Sequence, residues 1–113
     1  MTDDELTDRW EAVLDRSVTH EEHLRIGYTL HRRHGPEEGR RRLLEGTLAN
    51  CRVMDAVERF DADLTARWSD RIAACIDEDD GTGSYAVFIA RHPELRASDL
   101  LGLPAWRTNS SSR

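Results

Sequence analysis

Two helix-start signals, each followed by apolar residues at helical spacing, constrain the fold more than any other feature of the chain. Thr2 precedes Glu5, and Thr19 precedes Glu22, in the Thr-x-x-Glu pattern of a capping box. In this box the threonine side chain bonds the backbone amide three residues on, and the glutamate side chain bonds the threonine amide. Apolar residues then recur every four positions, at Leu6, Trp10 and Leu14. This spacing is typical of an amphipathic helix, and the pattern predicts an all-α protein.

Four main helices follow from these signals and from the breaks between them. We expect helices from Thr2 to about Asp15, from His20 to His34, from Pro36 to about Met54, and from Asp55 to Ile76. Gly35 can adopt the left-handed conformation that ends a helix, and Pro36 suits the first turn of the next one. With short connections and no convincing strand, the chain is predicted to be a single-domain antiparallel helical bundle.

Short helical pieces are expected to complete the chain. Ser84 can cap a helix that runs to Arg91, Pro93 begins another turn, and Ser98 can cap a turn over residues 99–101. We therefore assign residues 1–103 to the bundle domain and residues 104–113 to a flexible polar tail.

Charge and composition argue against two classes of partner. The net charge is -6, and an acidic surface repels phosphate backbones, so we expect no nucleic-acid partner. The run Arg40 to Arg42 is predicted to be a solvated face balanced by neighbouring glutamates. No apolar stretch is long enough to span a bilayer, and the acidic N-terminus lacks a signal-peptide core, so we expect no membrane partner and a cytoplasmic protein. Cys51 and Cys75 are then expected to be reduced, buried thiols.

His20 and His23 are the first residues that could carry chemistry. They lie three positions apart, which makes them neighbours on a helix, and they share the predicted buried side with Leu24, Gly27 and Leu30. The helix dipole favours a neutral imidazole at His20, and neutral imidazole binds metals or accepts a proton. The alternative is that both are structural histidines of the core.

Asp61 is the second unusual residue, since it falls on the apolar stripe predicted between Phe60 and Leu64. A carboxylate in a core must be paired, hydrogen-bonded or neutralised. His20 or His23 could be its partner, and two histidines with one carboxylate can ligate iron or zinc. The alternative is that Asp61 lies at the rim and bonds an arginine or water.

Three further residues are expected to line a substrate pocket beside this group, namely Tyr28, Thr65 and Trp68. Thr65 lies one turn after Asp61 and could donate to it, whereas aromatic residues such as Tyr28 and Trp68 are also common in cores. We expect His31 and His34 to cap the end of the second helix. His92 precedes Pro93 and is expected to stop a helix, with ligation as the lesser alternative.

Several segments together resemble a known family. They are residues 19–25 (THEEHLR), 33–38 (RHGPEE), 65–68 (TARW) and 88–95 (FIARHPEL), followed by Leu100 and Leu101. In this order they resemble a family of small bacterial all-helical proteins with an N-terminal THxxHL motif and a C-terminal HPEL…LL motif, over most of residues 4–101. That family usually has an aromatic-His pair where this chain has Phe60-Asp61. The resemblance implies a polar cluster of His20, His23 and position 61, and it implies no particular reaction.

These observations lead to two functional hypotheses. The first is a small-molecule enzyme of specialised metabolism, or a metal-binding protein, with His20, His23 and Asp61 as acid/base residues or as ligands of one divalent iron, zinc or copper ion. A small molecule would then be the ligand. The second is a non-catalytic interaction module or homodimer whose histidines are structural.

Overall fold

The computed structural model describes residues 2–13, 18–78 and 84–96, and over these residues the protein is helical with no strand. The α-helices are α1 (Asp3–Glu11), α2 (His20–Val53), α3 (Ala62–Glu78) and α4 (Tyr85–Arg91). Two short 3-10 helices, Val57–Arg59 and Pro93–Arg96, precede α3 and follow α4. The all-α prediction is confirmed, while the predicted turn at 99–101 and the tail at 104–113 lie outside the described residues.

Both predicted capping boxes are present. The Thr2 hydroxyl accepts from the Glu5 amide at 3.0 Å, and the Glu5 carboxylate accepts from the Thr2 amide at 2.9 Å. Thr19 and Glu22 repeat the arrangement at 3.1 and 3.2 Å. The helix that follows Thr2 ends at Glu11, earlier than the predicted Asp15, because Val13 adopts a left-handed backbone with φ 76°.

Gly35 divides α2 into two arms, residues 20–34 and 36–53. Its φ of 85° and ψ of 172° belong to a region that is almost restricted to glycine. A Cβ built on Gly39 would lie 3.0 Å from the Cα of His31, eight residues earlier in the chain. Eight residues of straight helix span about 12 Å, so the arms fold back on each other at Gly35. The predicted helix break at Gly35-Pro36 is confirmed.

The start of the next helix is corrected by the structure. We predicted a helix from Asp55, but Asp55 has a left-handed φ of 55°, and α3 begins at Ala62. The amide of Ala56 donates to the Cys51 carbonyl at 2.8 Å, a bond typical of a terminated helix. Residues 54–61 are thus a connection that contains one 3-10 turn.

The core is built from all four α-helices and the last 3-10 turn. Its fully buried large side chains are Leu6, Trp10, Leu24, Ile26, Leu30, Leu43, Trp68, Ile72, Phe88 and Leu95. Trp10 reaches from α1 to the second arm of α2, where the Asn50 amide donates to the Trp10 carbonyl at 2.9 Å. Cys51 and Cys75 are buried and form no disulfide, as expected for buried thiols.

Candidate functional site

The structure places Asp61 outside the core. Its side chain is exposed, and its Oδ1 accepts from the backbone amide of Leu64 at 2.9 Å. Because α3 begins one residue later, Asp61 caps the helix instead of lying on its apolar stripe. The prediction that Asp61 faces the core is therefore wrong, and the predicted alternative of a carboxylate at the rim describes it better.

His20 is held by a backbone carbonyl. Its Nε2 lies 2.9 Å from the carbonyl oxygen of Leu95, and its ring meets Trp68 edge-on at 4.8 Å between centroids. A carbonyl oxygen can only accept, so Nε2 carries a proton and donates. A metal could not occupy that nitrogen while this bond exists.

The other predicted site residues lie in the interior. His23 is completely buried, as its predicted position on the apolar side requires, and Thr65 and Trp68 are buried on α3. Tyr28 is buried too and packs on Phe88 with ring centroids 4.5 Å apart. These positions agree with the predicted faces, and the substrate-binding roles stay predictions.

His31 is a buried residue with two hydrogen bonds, which exceeds the capping role expected for it. Its Nδ1 lies 2.7 Å from the Gly27 carbonyl oxygen and its Nε2 lies 2.9 Å from Ser69 Oγ. Nδ1 must therefore donate, and Ser69 donates its hydroxyl proton to Nε2. Burial lowers the pKa of His31, with an opposing contribution from the bond to Gly27. His31 thus links the first arm of α2 to α3.

Three metal-ligating side chains meet where α3 approaches the turn after α4. Cys75 Sγ, a ring nitrogen of His92 and a carboxylate oxygen of Glu94 all lie within 4.8 Å of one another. His92 Nδ1 and the nearer Glu94 oxygen are 3.7 Å apart. Cys75 is buried, whereas Glu94 leaves 42% of its side chain exposed. We call these three residues the CHE group.

The electrostatics of the CHE group would favour a cation. Burial is the main cause that raises the pKa of the Cys75 thiol to about 11, so a metal must displace its proton; the smaller contributions from Glu94 and Glu78 reflect a negative field that would attract a cation, and Arg71 acts in the opposite direction. A divalent ion bound to a thiolate, a carboxylate and a neutral imidazole forms a set with no net charge. Such a set avoids most of the penalty for burying an unpaired charge.

Local sequence explains how His92 and Glu94 come together, but it does not reveal Cys75 as their neighbour. His92 ends α4 as predicted, and Pro93 starts the 3-10 turn that carries Glu94. The spacing His-Pro-Glu was therefore a usable signal. Cys75 followed the apolar stripe of α3 and was predicted as a small buried hydrophobe, so its polar neighbours were missed.

The two motif segments of the chain are in direct contact. Besides the His20–Leu95 bond, Glu21 accepts from the Tyr85 hydroxyl at 2.7 Å and from two nitrogens of Arg96 at 2.8 and 3.1 Å. The first turn of α2 is thus hydrogen-bonded to this segment both before and after His92 and Glu94.

Among the described residues, no helix is both long enough and apolar enough to cross a bilayer. Comparison of the chain with protein-family models, curated proteins and solved structures gives no match. The resemblance to small bacterial helical proteins stays a prediction.

Proposed function

We propose that this protein binds one divalent transition metal ion, with zinc the best fit, at Cys75, His92 and Glu94. The observation that carries the proposal is the convergence of these three donors, within 4.8 Å of one another, from α3 and from the segment that ends α4. This retains the metal-binding hypothesis drawn from the sequence and moves the site away from His20, His23 and Asp61.

The donor types suit zinc. Zinc accepts sulfur, imidazole nitrogen and carboxylate oxygen at about 2.0–2.3 Å, usually in tetrahedral geometry. Ligand atoms in such a site lie about 3.4–3.6 Å apart, which follows from those bond lengths. His92 and Glu94 are at 3.7 Å already, so closure of the site requires a shift of about 1 Å at the widest pair.

Three protein ligands leave one coordination position for water or for a small-molecule ligand. A bound metal would act as a Lewis acid and polarise an oxygen of a small molecule in that open position. The small-molecule enzyme hypothesis depends on this chemistry. Cys75 must stay reduced so that it can bind as a thiolate, and a reducing compartment such as the cytoplasm is therefore part of the proposal. We also propose that the helices of the bundle pack antiparallel, since short connections between helices favour that arrangement.

A cobalt titration of the full chain tests the metal site. Cobalt(II) replaces zinc in such sites and gives a near-ultraviolet charge-transfer band when a thiolate binds it. We expect one equivalent to bind with this band in the wild type. Cys75→Ala should abolish the band and weaken binding by about 100-fold or more, since loss of an outer partner alone costs 10–100-fold.

Two matched controls separate this site from the alternatives. Cys51→Ala removes the other buried thiol and should leave the band and the affinity unchanged. Asp61→Asn retains a good capping residue and should also bind normally, unless the site first predicted from the sequence is the real one. Absence of binding in the wild type, or equal binding by Cys75→Ala, would refute the proposal.

The second candidate function is a non-catalytic interaction module or homodimer. It is favoured by two exposed valines, Val53 and Val57, at the end of α2 and in the following 3-10 turn, with 51% and 47% of their surfaces accessible. Light scattering at several protein concentrations checks it. A dimer that Val57→Asp converts to monomer would support an interface there, and a strictly monomeric wild type would exclude the homodimer.

A further inference from the structure

We infer that His20 and Glu21 are positioning residues of the metal site, which hold the turn that carries His92 and Glu94 without touching the ion. The inference rests on the proposed function, because it assigns the cause of that site's affinity. We call His20 and Glu21 the N-terminal clamp. Their side chains bond to the residues immediately after the ligand Glu94 and to the first residue of α4.

The bond of His20 fixes the backbone next to a ligand. Its Nε2 donates to the carbonyl of Leu95 at 2.9 Å, one residue after Glu94. The imidazole is itself fixed by Trp68, a completely buried residue of α3. Since α3 also carries Cys75, His20 contacts both the Glu94 turn and the element that supplies the sulfur ligand.

Glu21 holds the two ends of the same segment. Its carboxylate accepts from the Tyr85 hydroxyl at the start of α4, and from Arg96 at the end of the 3-10 turn. His92 lies between these two anchors. The hydrogen bond from Arg96 lowers the pKa of Glu21, so the carboxylate stays charged at neutral pH and keeps both partners.

Removal of the clamp should alter the site more than the fold. Phe88, Ile89 and Leu95 are buried and keep the segment attached to the core through apolar contacts. The N-terminal clamp fixes the orientation of the segment that carries His92 and Glu94, because hydrogen bonds are directional whereas apolar packing tolerates small shifts. Two of the three ligands lie in this segment, so a small displacement would separate both from Cys75.

Cobalt affinity of clamp variants tests the inference. We expect His20→Ala and Glu21→Gln each to weaken binding by about tenfold, the lower end of the effect of outer-shell partners. The charge-transfer band should return fully at saturation, because Cys75 is still present. In His20→Gln the side-chain amide can donate to the Leu95 carbonyl, and we expect it to recover part of the affinity.

Glu45→Gln is the matched control for Glu21→Gln. Glu45 also pairs with an arginine, Arg41, on the second arm of α2, and it has no bond to residues 85–96. The Glu45→Gln variant should bind cobalt as the wild type does. All measurements are made where urea unfolding shows the metal-free variant to be fully folded, so that lost stability alone does not change the affinity.

The outcomes distinguish the two proposals. If His20→Ala and Glu21→Gln both bind cobalt with wild-type affinity, the inference about the N-terminal clamp is overturned. The metal site itself is then still supported if Cys75→Ala loses the band and the affinity. An equal loss in His20→Gln and His20→Ala assigns the effect to ring packing on Trp68 and also overturns the inference about the clamp. If His20→Ala does not fold, Glu21→Gln with its Glu45→Gln control decides the question. Equal binding by Cys75→Ala and wild type removes the metal site itself.

Discussion

At the scale of single residues, the histidines of this chain show how different environments give one side chain different roles. His20 donates to a carbonyl at the edge of the core, and His31 both donates and accepts within it. His92 has a carboxylate and a thiol as neighbours. Hydrogen bonding therefore fixes the proton position of His20 and His31, and leaves His92 as the histidine best placed for a metal.

The pH dependence of stability should report on His31. Its pKa is lowered by burial in the folded protein, below the unfolded value near 6.5. The unfolded state thus binds the proton more readily. The contribution of His31 is fully present above about pH 6.5 and is lost as pH falls through the folded pKa. We expect urea unfolding of metal-free protein to show declining stability from pH 7.5 to 5.5.

Two variants identify the residue responsible. The glutamine of His31→Gln does not titrate, so the stability of this variant should change less with pH over the same interval. Ser69→Ala leaves the Nε2 of His31 without its donor and should reduce the free energy of unfolding by about 1–3 kcal/mol at pH 7.5. An unchanged pH dependence in His31→Gln would contradict the assignment to His31.

At the scale of elements, glycine governs how closely the helices approach. Gly35 supplies the backbone angles that fold α2 on itself. Gly46 lies under the Trp10 ring, and a Cβ built on Gly46 would lie 2.3 Å from two ring atoms. The packing of α1 on the second arm of α2 therefore depends on the absence of a side chain at one position.

Gly46→Ala should destabilise the protein, although glycine to alanine within a helix normally stabilises it by about 1 kcal/mol. Trp10 is completely buried, so a ring that shifted to relieve the contact would press on the surrounding core. We expect a net loss of about 1–3 kcal/mol in urea unfolding, the usual range for overpacking. Trp10→Phe in the same background should relieve part of the contact. A Gly46→Ala variant more stable than wild type would contradict this packing.

At the scale of the whole molecule, ion pairs lie on the surface, and long-range contacts join the start of α2 to the last described turn. Arg25 and Arg33 of α2 pair with Asp3, Asp4 and Asp8 of α1. Exposed pairs such as Arg33 with Asp8 contribute about 0–1 kcal/mol each. The N-terminal clamp spans 75 positions of sequence and lies next to the CHE group. A bound metal would fix to α3 the turn that the N-terminal clamp also holds.

Zinc should therefore raise the thermal stability of the protein. Binding to the folded state alone contributes about 2.7 kcal/mol at a free metal concentration of 100 times Kd. For a chain of this size we expect Tm to rise by about 10 °C, measured by circular dichroism with and without chelator. Cys75→Ser should lose most of the shift. An equal rise in Tm for wild type and Cys75→Ser would mean that zinc acts elsewhere.

The sequence by itself determined the local features of the fold. Capping depends on residues three apart, and the break at Gly35 depends on one residue that tolerates an unusual backbone. Burial of Trp10, His23 and Trp68 follows from helical periodicity, which identifies an apolar face within one element. Each of these features is decided within a few residues, so it can be read from the chain without knowledge of the helix packing.

Only the tertiary structure decided which side chains meet. Periodicity puts Asp61 on an apolar stripe because it predicts a helix from Asp55, whereas Asp55 has a left-handed backbone and α3 begins only at Ala62. Periodicity shows that Cys75 faces inward but does not show what lies opposite. The meeting of Cys75 with His92 and Glu94 depends on how α3 packs against the turn after α4. That packing is set by apolar contacts throughout the core, which no local pattern encodes.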